Sequence, residues 1–565
     1  MRMSLAGQAA VRETIMPQVT IVGAGIAGLA AALRLTERGF DVTLLEQDDF
    51  LGGKLGAHTH EGHYRADFHE HSYHMYLNWY RNFWQIVKDV RILHHFMPEP
   101  GLAHLRPAGG NQPANLIDVG TVRTFWHNIL SGLEPPLEMF LYAYSLVDLL
   151  GTPLPNRHRS DSSSVFAFTN SRPYGNRRSM FLHSETLAMA FSCPTYLASL
   201  NSYRNFIRYG VRHPDPMMWL LKGNTQQCLF EPLEKHMHEV ADEHRGQGAR
   251  LRIRRLTHLK KVHLSGDAIT ALEVDDLTES PTVTVSGHLR EARRTSRVEP
   301  ITGDVILAIP PKALARLVDW DILKVAPSLG NVSKLRSEPM ASLNVYFKRK
   351  LPNVPKEIAI LLGSKYRLSF LDNSQCWQLG TPMATTFLNV IVSDFASLAR
   401  GGQADDYAAI KEMIYDELSR YLEFNYEPAS KNDDIDRDRS HLQTNVGETL
   451  FTNDVGTWEF RPETTCGIRN LFIAGDYCKT FVDVVSIEGA VVSGLMAAEA
   501  VRQRGDIGGP IAILKPETYP DVAWTALKVI GAPYAYAAKA LSIASDVLKL
   551  GHDEMFPSGG STNGE

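Results

Sequence analysis

The stretch that most restricts how this chain can fold runs from Gln18 to Gln47, QVTIVGAGIAGLAAALRLTERGFDVTLLEQ. Val19 to Val22 are apolar or β-branched and suit a buried strand, which breaks at Gly23-Ala24-Gly25-Ile26-Ala27-Gly28 into an Ala- and Leu-rich helix-forming run. In such a unit Gly23 makes the turn, Gly25 lets a pyrophosphate approach the backbone, and Gly28 lets the helix pack on the sheet. The first N–H groups of the helix then face the phosphates. Gly39 stops the helix after Arg38, and Val42 to Leu45 give a second strand ending at Glu46. A carboxylate there accepts hydrogen bonds from an adenosine ribose and argues against a 2′-phosphate, hence against NADP. A GxGxxG run alone can be only a turn; strand, helix, second strand and acid in this order point to dinucleotide binding.

A chain of 565 residues exceeds the size at which one core keeps growing, so several domains are expected. With 44% hydrophobic and 21% charged residues the composition is ordinary for a globular protein, and a net charge of −5 gives no reason to expect nucleic acid. Cys193, Cys228, Cys376, Cys466 and Cys478 form no CxxC pair and read as reduced thiols of a cytoplasmic protein. The first fifteen residues lack the features of a signal peptide, and no apolar run reaches spanning length, which leaves surface attachment to a membrane open.

Beyond Glu46, Leu51-Gly52-Gly53-Lys54 is a second glycine turn that carries a cation, suited to the ring or diphosphate side of a dinucleotide cofactor or to an ordinary loop. Six histidines crowd between His58 and His74, but the His-Glu-x-x-His spacing fails, because Glu70 follows His69 and the fifth position is Tyr73. No metal is expected. Val122 to Leu150 and Ser184 to Gly210 read as helical, with Phe125, Trp126, Phe140, Tyr142, Tyr144 and Leu150 lining either an apolar tunnel or a helical core. Asn156 to Arg178 reads as an exposed loop. A helix is expected over Glu231 to Glu243, alternating strands over Leu251 to Val274, and a buried strand at Asp304 leading into a Pro-initiated helix. Arg290, Arg293, Arg294 and Arg297 read as a solvated loop, with anionic lipid as the lesser reading.

Strands are expected over Leu343 to Phe347, Ile358 to Leu362, Leu368 to Leu371 and Thr385 to Val392, and a helix over Tyr407 to Tyr421. Asn470 to Asp476 is again a strand that stops at a glycine, Gly475, with a carboxylate beyond it. Ser486 opens a helix in which Gly489 and Gly494 permit close backbone approach, and its N-terminus can stabilise negative charge on a reduced ring. Trp524 to Leu550 suits an amphipathic helix broken at Gly531 and Pro533, lying on a membrane, on its own domain or on a second subunit.

The segments GAGIAGLAAA, LGGK, His74-Met-Tyr-Leu-Asn-Trp-Tyr80-Arg-Asn82, LKGNTQQCLFEPL, GDVILAIPPKAL and AGDYCKTFVDVVSIEGAVVSG resemble the flavin-dependent amine oxidase and carotenoid desaturase superfamily. Within it, the plant and cyanobacterial type of phytoene desaturase is the nearest pattern. The resemblance implies an α/β fold: a discontinuous Rossmann-type FAD-binding domain with a substrate domain of antiparallel sheet plus helices. The boundaries that follow are an extension at 1–16, FAD-domain parts at 17–100, 216–335 and 446–506, a helical substrate or lid domain at 101–215, a substrate sheet at 336–445, and a C-terminal amphipathic segment and tail at 507–565. It implies FAD held by Gly23, Gly25, Gly28, Glu46, Gly52, Gly53 and Lys54, with His74, Met75 and Tyr80 near the ring system. Arg255, Leu256, Gly475 and Asp476 belong to the same set, as do Ile487, Glu488, Gly489 and Ala490 at the head of the last helix.

Tyr76, Leu77 and Asn78 stand where the family usually has Phe and Gly, which makes the cavity beside the flavin more polar. The reaction implied is hydride removal from an apolar substrate, isoprenoid or other lipid, with a quinone or oxygen as acceptor. His74 is the candidate for proton handling, and ring packing or FAD binding explains it equally well. An amine or amino-acid oxidase and a non-catalytic flavin-binding protein are the alternatives. A homo-oligomer is compatible with all three.

Overall fold

The computed structural model describes residues 17–59, 68–70, 72–99, 101–107, 114–117, 122–153, 161–213, 215–247, 249–279, 294–379, 383–399, 406–445 and 449–555. A five-stranded parallel sheet is assembled from Arg250–Arg254, Asp41–Leu45, Gln18–Val22, Asp304–Leu307 and Leu471–Ile473, in that spatial order. Parallel pairing brings the carboxyl ends of all five strands to one edge, although they come from three remote stretches of sequence. The Ile26–Thr36 helix follows the first strand, and the Ile487–Gly505 helix packs on it.

The second layer is a mixed seven-stranded sheet. Ala341–Phe347, Phe387–Val392, Leu368–Asp372 and Ile358–Leu361 lie side by side, with Ile435–Thr444 beyond one edge and Gly101–Leu105 and Ala114–Ile117 beyond the other. One face, with Leu343, Val345, Phe370, Leu388 and Val390, packs on the Tyr407–Ser419 helix. Ser342, Asn344, Ser369 and Asn389 alternate with those residues on the opposite face and are also buried. Asn389 donates to Asn344 Oδ1 (2.7 Å), and its Oδ1 accepts the Tyr73 N–H (2.9 Å), which ties this sheet to the segment that carries His74.

Several expectations need correction. The stretch read as a loop contains the Val165–Asn170 helix, capped where Ser164 Oγ accepts the Ala167 N–H, and Arg177 already opens the Arg177–Phe191 helix. Trp126 faces solvent; Phe125, Phe140 and Tyr142 pack on one apolar cluster, and Phe140 also packs on a second that holds Tyr144, the arrangement of a helical core. Arg294 and Arg297 sit on the Arg294–Pro300 strand and pair with Asp275 and Asp276, while Arg290 and Arg293 lie outside the described residues. The N-terminal extension, His60, His63, His71 and the last ten residues also lie outside them. The terminal helix, Asp521–Met555, runs unbroken past Gly531 and Pro533. An internal proline costs about 3 kcal/mol, and contacts along the Pro136–Gly151 helix offset that. Gly531 lies where a Cβ would come within 2.8 Å of the Tyr144 ring, and Tyr144 OH donates to the Lys528 carbonyl (3.0 Å).

Candidate active site

The site is built from loops at the shared carboxyl edge of the parallel sheet. Gly23 has φ +98°, and a Cβ there would lie 2.4 Å from the Ala308 carbonyl oxygen; a Cβ on Gly28 would lie 2.0 Å from the Gly23 carbonyl oxygen. Both glycines are demanded by the chain's own packing. Gly25 is not, because a Cβ there would meet only the Gly52 carbonyl oxygen, at 4.0 Å. Open space therefore lies beside Gly25. Gly25 is also the N-cap of the Ile26–Thr36 helix and supplies no side-chain cap, so the helix N-terminus suits an anionic diphosphate.

The second glycine turn lies directly against the first. Gly52 N–H donates to the Ala24 carbonyl (2.9 Å), and a Cβ on Gly53 would stand 3.3 Å from Gly25 Cα. The Phe230 ring packs under Gly52, which leaves no space for a side chain there. Phe230 ends a single turn of π-helix, Gln226–Phe230, a local widening that aims this ring at the glycine turn.

Glu46 directly follows the second strand, and its Oε2 accepts the Ala24 N–H (2.6 Å), so the acid expected at the ribose also clamps the glycine turn. Burial raises its pKa, opposed by N–H donors from Ala24 and Asp48 and by Arg255. Arg255 itself donates to Glu234 (2.6 Å). Leu256 has φ +54°; its N–H donates to the Asp48 carbonyl and its carbonyl accepts the Leu277 N–H, so both backbone groups already serve the protein.

On the other side, Lys54 donates to the Thr449 carbonyl (2.9 Å) and acts electrostatically on Asp476. Burial pushes Asp476 up, while Lys54 and Arg461 pull it back. Gly475 N–H donates to Ser493 Oγ (2.8 Å), fixing the loop before Asp476 to the late helix. That helix approaches closely because a Cβ on Gly494 would stand 2.1 Å from the Ala27 carbonyl oxygen. At its head Ser486 Oγ accepts the Gly489 N–H (3.0 Å), and Ile487 and Ala490 pack against the main core.

Glu488 is directed elsewhere. Its carboxylate accepts the Asn82 N–H (2.9 Å), Asn82 Nδ2 (2.6 Å) and the Phe83 N–H (3.0 Å), capping the Arg81–Asp89 helix. Burial pushes it up to about 7 against those bonds. Tyr80 precedes that helix, is buried, and meets Trp79 edge-on. His74 is half-buried, with Nε2 3.3 Å from Ser72 Oγ, and Met75 packs on the main core.

Sequence reasoning missed Arg461 and Asp483, a buried pair at 2.9 Å, with Asn201 donating to the other Asp483 oxygen (2.5 Å). The available signal was a lone acid in the apolar run Phe481 to Val485. Among the described residues no group of three or more metal-ligating side chains is assembled.

With this geometry in view, the chain can be set beside known proteins. The family model for flavin containing amine oxidoreductases matches residues 26–502. The chain is 21% identical to a 15-cis-phytoene desaturase of Synechococcus elongatus over 86% of its own length and 96% of that protein. It is 23% identical to a zeta-carotene desaturase of the same organism, over 86% and 98%. Its fold is similar to that of cyclohexylamine oxidase from Brevibacterium oxydans, with a TM-score of 0.53 and 14% identity across 87% of this chain and 100% of that one. The chain belongs to the family of flavin-containing amine oxidoreductases and is an FAD-dependent oxidoreductase.

Proposed function

We propose that the protein removes a hydride and a proton from neighbouring carbons of an apolar substrate, isoprenoid or other lipid, leaving a carbon–carbon double bond. The observation that carries this reading is the alignment with two desaturases over 86% of the chain and nearly all of each relative, an extent far beyond a nucleotide-binding segment alone. FAD, when bound, supplies the two-electron acceptor, and a quinone or oxygen then takes the electrons.

The chain holds the dinucleotide and excludes water. In this reading Gly25 and the head of the Ile26–Thr36 helix receive the diphosphate, with Gly23, Gly28, Gly52 and Gly53 shaping the cradle. Glu46 takes the ribose, with Arg255 and Leu256 at the adenine end. Lys54, Gly475 and Asp476 take the ribityl side, and Met75, Tyr80 and Ile487 flank the ring system, with Gly489 and Ala490 close behind. Glu488 contributes indirectly, by fixing the Arg81–Asp89 helix. His74 accepts the proton from the substrate. An apolar substrate also suits an enzyme that works at a membrane surface.

Product analysis tests this. Holoenzyme incubated with isoprenoid hydrocarbons in vesicles and a quinone should yield a product two hydrogens lighter with a longer conjugated chromophore, and His74→Phe should slow turnover while retaining flavin. Turnover of amines with peroxide release, and none of isoprenoids, would replace the reading with amine oxidation. A flavin oxidised under every donor would leave a binding protein without turnover.

A further inference from the structure

The last strand of the parallel sheet and the late helix are joined by residues 475–486, a run of turns and bends rather than helix or strand. Asp476 at one end and Val485 and Ser486 at the other are half-buried, whereas Val482, Asp483 and Val484 between them are buried. An irregular segment of this kind keeps one shape only where its surroundings fix it. It is fixed from two sides. The Lys479 N–H donates to the Pro462 carbonyl and the Ile473 N–H to the Thr464 carbonyl, each at 2.9 Å, so the chain that begins at Arg461 runs alongside it. From the helical region, Asn201 and Tyr209 of the Leu200–Gly210 helix reach Asp483 and the carbonyls of Phe481 and Val482.

Arg461 joins the two sides. Its side chain is 1% exposed and that of Asp483 3%, their charges meet at 2.9 Å, and the guanidinium lies over the rings of Phe451 and Trp458, at 5.0 and 5.3 Å. Arg461 Nε is also buried and meets no acceptor among the described residues. A pair this deep adds little net stability, because both charges give up water to meet, and an apolar pair of similar volume does as well or better. What the charges add is direction. Asp483 has φ +47°, left-handed backbone that a residue with a Cβ adopts only under constraint, and Asn201 holds its second oxygen at 2.5 Å. The Leu200–Gly210 helix is anchored in turn, since Arg204 donates to the carbonyls of Leu149 and Leu150 at the end of the Pro136–Gly151 helix. Arg461 and Lys54 also act electrostatically on Asp476, from separate segments.

We propose that Arg461 is the positioning residue of the cofactor loop: through Asp483 and Asn201 it locks residues 475–486 onto the helical region. Asp476 and the head of the late helix then meet FAD at a set spacing, and the reduction potential of the flavin depends on a side chain behind the wall of the site. The inference deepens the site reading above and rests on its placement of Asp476 and Ile487 at the cofactor; it is independent of the substrate.

Full-length holoenzyme, stripped of FAD and titrated back with it, tests the proposal, together with the midpoint potential of the reloaded protein. The double variant Arg461→Met, Asp483→Leu removes both charges and leaves neither unpaired, so without FAD it should melt near the wild-type temperature. Its FAD dissociation constant should rise at least ~10-fold, the worth of one hydrogen bond to a charged group. Its potential should fall, because the head of the late helix no longer sits where it stabilises the reduced ring. Arg461→Lys keeps the pair and should stay close to wild type in both. Asn201→Ala leaves the pair in place and should weaken FAD binding less, in the same direction; it carries the test if the double variant does not fold. Wild-type affinity and potential in the double variant, or in Asn201→Ala where the double variant fails to fold, would overturn the proposal. Asp476→Asn separates the two readings: FAD bound as tightly as by the wild type would remove the site reading as well, whereas a loss in Asp476→Asn alone would remove only the role of Arg461.

Discussion

Two helix pairs in this protein are built on opposite principles. The Ile26–Thr36 and Ile487–Gly505 helices meet through small residues, with Gly494 against the Ala27 backbone, and bury their apolar sides. The Pro136–Gly151 and Asp521–Met555 helices meet partly through polar groups, Asp148 with Lys528 and Glu138 with Ser542, and leave much of the apolar surface outside. Close approach in the first pair brings three remote loops to one edge of the parallel sheet. Polar seams in the second turn an apolar face outward. The contrast separates helices that answer to a ligand within from helices that answer to the surroundings.

The largest test of that contrast is Gly494→Val. A side chain cannot enter at 2.1 Å from a backbone oxygen, so the first pair must part, at a cost of about 3 kcal/mol. Loss of flavin on gel filtration, with a lowered melting temperature, is the expected outcome; retained flavin would mean that the close approach is dispensable.

A second test uses pH, for which the two pairs have opposite signs. Glu488, in the first pair, is raised by burial from 4.5 to about 7. The folded state therefore holds its proton longer than the unfolded state. Its contribution is greatest below the usual carboxylate pKa and falls as pH climbs toward 7, by at most about 3 kcal/mol. Asp148, in the second pair, is pushed up by burial, but Lys528, Tyr174 and Arg172 hold it below its usual value. Its contribution is present above that value and fades as pH drops through the folded pKa. Urea midpoints measured from acid to neutral pH should lose their fall toward neutrality in Glu488→Gln, and should lose part of their acid-side fall in Asp148→Asn. The same profile in both variants would contradict the contrast.

The smallest expected effect is that of Lys528→Met. It removes one partner of Asp148 and leaves Arg172 and Tyr174, so about 1 kcal/mol is expected, by denaturant titration. A loss several times larger would make the polar seam the main hold on the terminal helix.

The nucleotide half was legible because its signals are local. Gly23 to Gly28, Gly39 and Glu46 fall within one strand–turn–helix–strand unit, and the late helix begins at Ile487, one residue after its Ser486 cap. What escaped depends on partners far along the chain. Arg461 and Asp483 acquire meaning from each other and from Asp476 and Asn201, and the ring of Phe230 from Gly52. Apolar spacing in the terminal helix marks two faces but does not say which one turns inward. That is decided by Asp148 and Glu138, nearly 400 residues earlier on another helix. Gly531 and Pro533 read as breakers for the same reason, since the Tyr144 contact that holds the helix through them is equally remote.

The central claim is that one FAD, bound where the two glycine turns touch, takes electrons from an apolar donor. Anaerobic spectrophotometry of the purified holoenzyme tests it most directly. The account predicts a flavin band of one equivalent per chain that bleaches when isoprenoid hydrocarbons are supplied in vesicles and stays unchanged with amines. A protein that neither carries nor takes up FAD, or a band bleached by amines alone, would contradict it.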